Sequence, residues 1–83
     1  MEFKHIEYFI KASEYKSITQ AAEALFISQQ ALSKCIQNLE AELGCRLFHR
    51  TSKGSILTDE GQLVYDRFSP IVRKFYRTGS EVT

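Results

Sequence analysis

Little in these 83 residues belongs to the residue types and spacings that mark a particular chemistry. Two cysteines, Cys35 and Cys45, are too few for a disulfide scaffold. With no CxxC pair and only the isolated His5 and His49, no zinc-ligand spacing occurs. The cysteines read as small, half-buried thiols of a reducing compartment. No apolar run approaches the roughly 20 residues that a membrane-spanning helix needs. The first sixteen positions mix acids with bases and do not form a signal peptide. The expected location is therefore the cytoplasm, with no membrane partner, no metal and no cofactor. Repeats, low-complexity tracts and Gly-rich phosphate loops are lacking as well. No carboxylate is placed by motif to orient His49. Glu40 and Glu42 stand two apart, so on a helix they diverge by about 200° and form no facing acid pair; the expectation is that this is not an enzyme. Excess positive charge is missing too: a net charge of +1 does not by itself point to a polyanionic partner.

What the sequence has is helical periodicity over a length that suits one domain, with 43% hydrophobic and 25% charged residues, as in ordinary globular chains. Phe3, Ile6, Phe9 and Ile10 form one stripe of a first helix that ends near Tyr15. Ser17-Ile18-Thr19-Gln20 fits a capping box, with Ser17 as N-cap and Gln20 reaching back. The short second helix that follows turns Ala21, Ala22 and Leu25 inward, and the two alanines allow a close helix crossing. Phe26-Ile27 is a brief connector, and Ser28 is a second N-cap. A third helix over 29–43 carries Leu32, Ile36, Leu39 and Leu43 within about 60° of one another, and Gly44 ends it. Two short helices joined by about three residues, the second starting on a cap, form a helix-turn-helix. Leu47 to Arg50 and Ser55 to Thr58 are strand-like around the turn-rich 51–54, which gives a hairpin, the wing. Thr58 caps a fourth helix with Asp59 and Glu60 at its positive end. Pro70 inside that helix predicts a kink or an early stop, and the polar tail from Thr78 is expected to fray.

Charge is informative in its distribution. No acid occurs from Ala24 to Leu39, or from Leu43 to Thr58. Residues 28–54 carry Lys34, Arg46, Arg50 and Lys53 against Glu40 and Glu42, whereas residues 1–27 are slightly acidic. The excess lies where a helix and a wing would meet phosphates. Opposite the leucine stripe of the third helix lie Gln30, Lys34, Gln37 and Ala41, flanked by Ser33 and Asn38. Amides and a cation suit base edges: Gln pairs with adenine N6 and N7, and Lys donates to guanine O6 and N7. Glu40 and Glu42 fall in the C-terminal half, away from the end that a recognition helix presents to bases.

Four stretches carry a family resemblance. Ser17-Ile18-Thr19-Gln20-Ala21-Ala22-Glu23-Ala24-Leu25 resembles the second helix of LysR-type transcription regulators, and Ile27-Ser28-Gln29-Gln30-Ala31-Leu32-Ser33-Lys34 the start of their recognition helix. Leu39-Glu40-Ala41-Glu42-Leu43-Gly44 with Leu47-Phe48-His49-Arg50-Thr51 is similar to the helix end and the first wing strand, and Leu57-Thr58-Asp59-Glu60-Gly61 to the start of the linker helix. The match runs through nearly the whole chain in the right order. It implies a mainly α, winged helix-turn-helix fold: a three-helix core and β-hairpin wing over 1–58, then a linker and dimerisation helix over 59–83. It implies that Gln29, Gln30, Ser33 and Lys34 face bases in the major groove. Ser17, Thr19, Ser28, Gln37, Asn38, Arg50 and Thr51 would lie along the backbone, with Lys53 at the minor groove. It implies a homodimer through Val64, Tyr65, Phe68, Ile71, Val72 and Phe75, reading an interrupted palindrome of double-stranded DNA, and an effector-binding domain in a longer parent chain. Four positions depart from the family's habit: Gln30 replaces a frequent proline, Lys16 a glycine, and Lys34 and Lys53 arginines, so Lys34 lacks the bidentate fork. The competing reading is a winged-helix protein-interaction module that does not read DNA, suggested by the weak net charge and the apolar fourth helix.

Overall fold

The computed structural model describes residues 1–15, 17–52 and 54–82. Lys16 and Lys53, and with them the expected minor-groove contact at the wing tip, lie outside the described residues. The chain forms α1 (Phe3–Glu14), α2 (Ile18–Leu25), α3 (Gln29–Leu43), β1 (Phe48–Thr51), β2 (Gly54–Leu57) and α4 (Asp59–Val82). This is the winged helix-turn-helix that the periodicity predicts.

Local chemistry sets the helix limits. Ser17 Oγ accepts the Gln20 N–H at 3.1 Å, and Ser28 Oγ accepts the Ala31 N–H at 3.0 Å, so both serines cap as expected. The return bond of the capping box, from the Gln20 side chain, is not among the bonds of the described residues. At the end of α2, Phe26 takes a left-handed conformation (φ 58°), and the Ile27 N–H reaches back to the Ala22 carbonyl at 3.0 Å. A residue other than glycine held there costs about 1 kcal/mol or more, and in exchange the connector closes in very few residues. Gly44 ends α3 with φ 73° and donates to the Glu40 carbonyl at 2.8 Å.

The core lies where α1, α2 and α3 cross. Phe9, Leu32, Leu39 and Leu47 are fully buried, and Ala21 and Ala22 let α2 sit close against its neighbours. The wing is rooted in this core: the Phe48 ring lies 5.6 Å from that of Phe9. The hairpin is antiparallel, with Phe48 opposite Leu57 and Arg50 opposite Ser55. Its first strand begins one residue later than expected because the pair Leu47 and Thr58, next in register, makes only one of its two cross-strand bonds. The Leu47 N–H bonds the Glu40 carboxylate at 2.7 Å, and the Leu47 carbonyl accepts the Thr58 N–H at 3.0 Å. Thr58 stays out of the second strand because it caps α4: its Oγ1 accepts the Gly61 N–H at 2.9 Å and donates to the Arg46 carbonyl at 2.6 Å.

The fourth helix corrects one expectation. It runs for 24 residues, Asp59–Val82, with Pro70 inside it, so it does not stop early. An interior proline costs about 3 kcal/mol, and contacts with α1 beyond Pro70 offset it. The Phe75 ring lies 4.7 Å from that of Phe3, and the Tyr76 hydroxyl donates to the Glu7 carboxylate. That bond pushes the Tyr76 pKa above its usual value. Upstream, Tyr65 donates to Glu14 at 3.2 Å. The apolar residues of this helix differ in burial. Val72 is buried and Val64, Tyr65 and Phe68 pack on the same core, so these four serve the chain's own body. Ile71 and Phe75 stay exposed, joined by Leu63 and Val82. Among the described residues no helix is long and apolar enough to cross a membrane.

Candidate nucleic-acid interface

The third helix buries Leu32, Cys35, Ile36 and Leu39 and turns its other side outward. Burial pushes the Cys35 thiol above its usual pKa against a smaller opposing pull from Lys4, so this cysteine is a core thiol, away from the outer face. On that face Gln29, Gln30, Lys34, Gln37 and Asn38 are exposed, and Ser33 is half-buried. Gln29, Gln30, Ser33, Lys34 and Gln37 line one shallow hollow of about 330 Å³. No segment of the described chain covers it. Asn38 lies on the other flank, outside the hollow. The structure therefore brings together all four residues expected to face bases.

The wing continues this surface. A narrow crevice between α3 and β1 is lined by Ser33, Gln37, Glu40, Arg46, Arg50 and residues of the core, so Gln37 and Arg50 share one margin. Arg50 and Thr51 are exposed on β1, and the Thr51 hydroxyl donates to the Gly54 carbonyl at 2.8 Å, closing the wing turn. At the other edge, Ser17 and Ser28 each use an oxygen lone pair as helix caps. A capping hydroxyl keeps its proton, and that proton can go to a phosphate oxygen. Thr19 does not stand alone either: its hydroxyl donates to Gln29 Oε1 at 3.1 Å, joining the start of α2 to the start of α3.

The electrostatics follow from where the acids are held. Glu42 pairs with the amino group of Met1 at 2.8 Å. Glu40 turns into the base of the wing, where it accepts the Leu47 N–H at 2.7 Å and lies 3.6 Å from Arg46 Nε. Both carboxylates are thus drawn off the outer face of α3, as their position on the helix suggested. Lys34 and Arg50 have no acidic partner among the described residues. They keep their charge for an anion.

Two features escape a reading of the sequence. The first is the role of Glu40 as the tie between α3 and the wing. An acid seven positions before an N–H that it bonds leaves no periodic signal. Glu40→Ala leaves that N–H without its partner in a partly buried place and is expected to cost about 1–3 kcal/mol. Glu40→Gln keeps an acceptor and is expected to lose about 1 kcal/mol or less, a contrast that paired thermal melts resolve. The second is Phe26, 94% exposed in the turn of the helix-turn-helix. A connector without glycine gives no warning that its phenylalanine adopts a left-handed conformation and turns to solvent.

Comparison with known proteins agrees with this geometry. Residues 3–62 match the family described as bacterial regulatory helix-turn-helix protein, lysR family. The chain is 42% identical over 74 residues to the nitrogen assimilation regulatory protein nac of Escherichia coli (strain K12), a match that takes in 89% of this chain and 24% of that protein. It is 46% identical over 65 residues to the HTH-type transcriptional regulator BenM of Acinetobacter baylyi, covering 78% of this chain and 21% of that one. The chain thus spans about a quarter of the length of these relatives. Among solved structures it is similar to the BenM DNA-binding domain in complex with benA site 1 DNA, with a TM-score of 0.90, 38% identity and coverage of 99% of this chain and 95% of that one. It is also similar to the CbnR DNA-binding domain in complex with DNA, with a TM-score of 0.87, 33% identity and coverage of 99% and 94%.

Proposed function

As the chain belongs to the lysR family of bacterial regulatory helix-turn-helix proteins, we propose that it is the DNA-reading head of a transcription regulator that binds specific double-stranded sites in the cytoplasm. One observation carries this reading: the hollow formed by Gln29, Gln30, Ser33 and Lys34 is open, polar and free of acids, and it continues into a wing bearing Arg50. A capped helix with such a face fits the major groove, where amides and a lysine meet donor and acceptor edges. In this reading Gln29, Gln30, Ser33 and Lys34 contact bases. Ser17, Ser28, Gln37, Asn38 and Arg50 lie along the phosphates, where their hydroxyls, amides and guanidinium fix the register; Thr51 lies beside them with its hydroxyl proton given to the Gly54 carbonyl. Lys34, a point charge, donates to guanine O6 or N7 without the two-pronged geometry of arginine.

The exposed stripe Leu63, Ile71, Phe75 and Val82 on α4 is the surface for a second copy. A two-fold pair of heads reads an interrupted palindrome. The effector-binding part of such a regulator belongs to the remaining length of a longer parent chain.

The test is selection of preferred duplexes from a randomised pool, followed by a salt titration with the selected duplex and with a random one. Lys34→Ala is expected to weaken the selected duplex by roughly tenfold or more and to relax preference at one base position. Arg50→Ala is expected to weaken both duplexes alike and to reduce the slope of log K against log salt by about 1. Equal affinity for selected and random duplexes at moderate salt overturns the reading.

A further inference from the structure

The bond between Thr19 and Gln29 gives Thr19 a different task from a backbone contact. We infer that Thr19 is a positioning residue for base readout, holding the Gln29 side-chain amide by its carbonyl so that Gln29 addresses DNA chiefly as a donor. This deepens the proposed DNA reading and rests on it.

Thr19 is the second residue of α2 and Gln29 the first of α3, so their side chains stand at the mouth of the helix-turn-helix, both exposed. Only the hydroxyl has a proton to share between the two oxygens, so it donates to Oε1 at 3.1 Å. In this arrangement Nε2 is the end left unengaged; turned over, the amide would instead give an N–H to the Thr19 hydroxyl and leave its oxygen free. A glutamine free to choose pairs both edges of adenine, its oxygen taking N6–H and its nitrogen giving to N7. One whose oxygen is already occupied offers two N–H donors. It favours acceptor edges, guanine O6 and N7 or thymine O4, and disfavours the cytosine amine. The tether also removes rotamer freedom from a long side chain before DNA arrives, so less is lost on binding.

The experiment uses the whole chain and three duplex sets: the one selected by the wild type, its three base variants at the position whose preference Gln29→Ala abolishes, and a random duplex. Thr19→Val keeps the shape and removes the hydroxyl; Thr19→Ser keeps the hydroxyl. The expected result is that Thr19→Val lowers the selected-to-random affinity ratio by about three- to tenfold and broadens preference at that one position. Thr19→Ser restores both, and Thr19→Val adds nothing further to Gln29→Ala. A purely structural role would lower the melting temperature and leave base preference alone. If Thr19→Val weakens selected and random duplexes equally, or adds fully to Gln29→Ala, Thr19 is a phosphate contact and the inference is overturned. A wild-type chain with no preferred duplex sinks the DNA reading and this inference with it. A wild-type preference that Thr19→Val leaves intact sinks the inference alone.

Discussion

Gly61→Ala is expected to lower the unfolding free energy by about 3 kcal/mol, and with it the melting temperature by roughly 12–24 °C for a domain of this size. On an exposed helix the same change would be favourable by about 1 kcal/mol, since alanine is the better helix former. Here the new methyl would lie 2.1 Å from the Leu47 carbonyl oxygen, with the Leu47 carbonyl carbon and Leu57 Cδ2 each at 3.0 Å. The obstacle is backbone, and it is held from several directions. Glu40 bonds the Leu47 N–H, Thr58 bonds its carbonyl, and its side chain is fully buried. Relief requires α4 to lift away from the wing, which would loosen the Thr58 cap on the Gly61 N–H and the Thr58 bond to Arg46. Overpacking of this kind costs about 1–3 kcal/mol before such bonds are counted, so the clash outweighs the gain in propensity. Gly79→Ala is the control, because a methyl there meets nothing within 4 Å inside the same helix. It is expected to leave stability unchanged or to raise it by up to about 1 kcal/mol. Thermal melts followed by circular dichroism separate the two, and a Gly61→Ala chain that melts with the wild type would remove the argument.

What could be read ahead of the structure is whatever depends on near neighbours in the chain. Ser17, Ser28 and Thr58 cap helices because a hydroxyl just before a helical run has an unpaired N–H within reach. Gly44 ends α3 because glycine alone enters the left-handed region without steric cost. The outer face of α3 follows from its leucine spacing, and with it the grouping of Gln29, Gln30, Ser33 and Lys34. What could not be read depends on distant partners. Gly61 looks like any glycine until Leu47 is placed beside it. Thr19 and Gln29 each look like separate DNA contacts until the turn brings them together. The apolar residues of α4 follow one another at helical spacing, and only the position of α1 divides them into Val64, Tyr65, Phe68 and Val72 within and Ile71 and Phe75 without. Pro70 was misleading for the same reason: its local cost is real, but the contacts of Phe75 and Tyr76 with α1 lie outside any local window.

That division of α4 allows a clean test of pairing. Ile71→Glu is expected to convert the chain from dimer to monomer in sedimentation at tens of micromolar, and to weaken binding to a duplex with two half-sites by about 100-fold or more. The monomer itself should be undisturbed. Ile71 is 56% exposed and outside the core, and a glutamate there stands four residues after Arg67 and three before Lys74, pairs that support a helix by a few tenths of a kcal/mol each. In a two-fold assembly each substitution enters twice, so two new charges would have to be buried on the apolar face or brought close to one another. The consequence for DNA is steep because a tethered second head binds at high effective concentration, and a lone head forfeits that advantage entirely. A duplex with a single half-site discriminates between causes. Its affinity for one head should be the same in wild type and Ile71→Glu, since α3 and the wing are untouched. If the variant still sediments as a dimer, the two-fold contact lies on another face. If it weakens single and paired half-sites equally, α4 acts through the fold of the head, and the Leu63–Val82 stripe, about 28 Å long at 1.5 Å per residue, serves some purpose other than joining two copies.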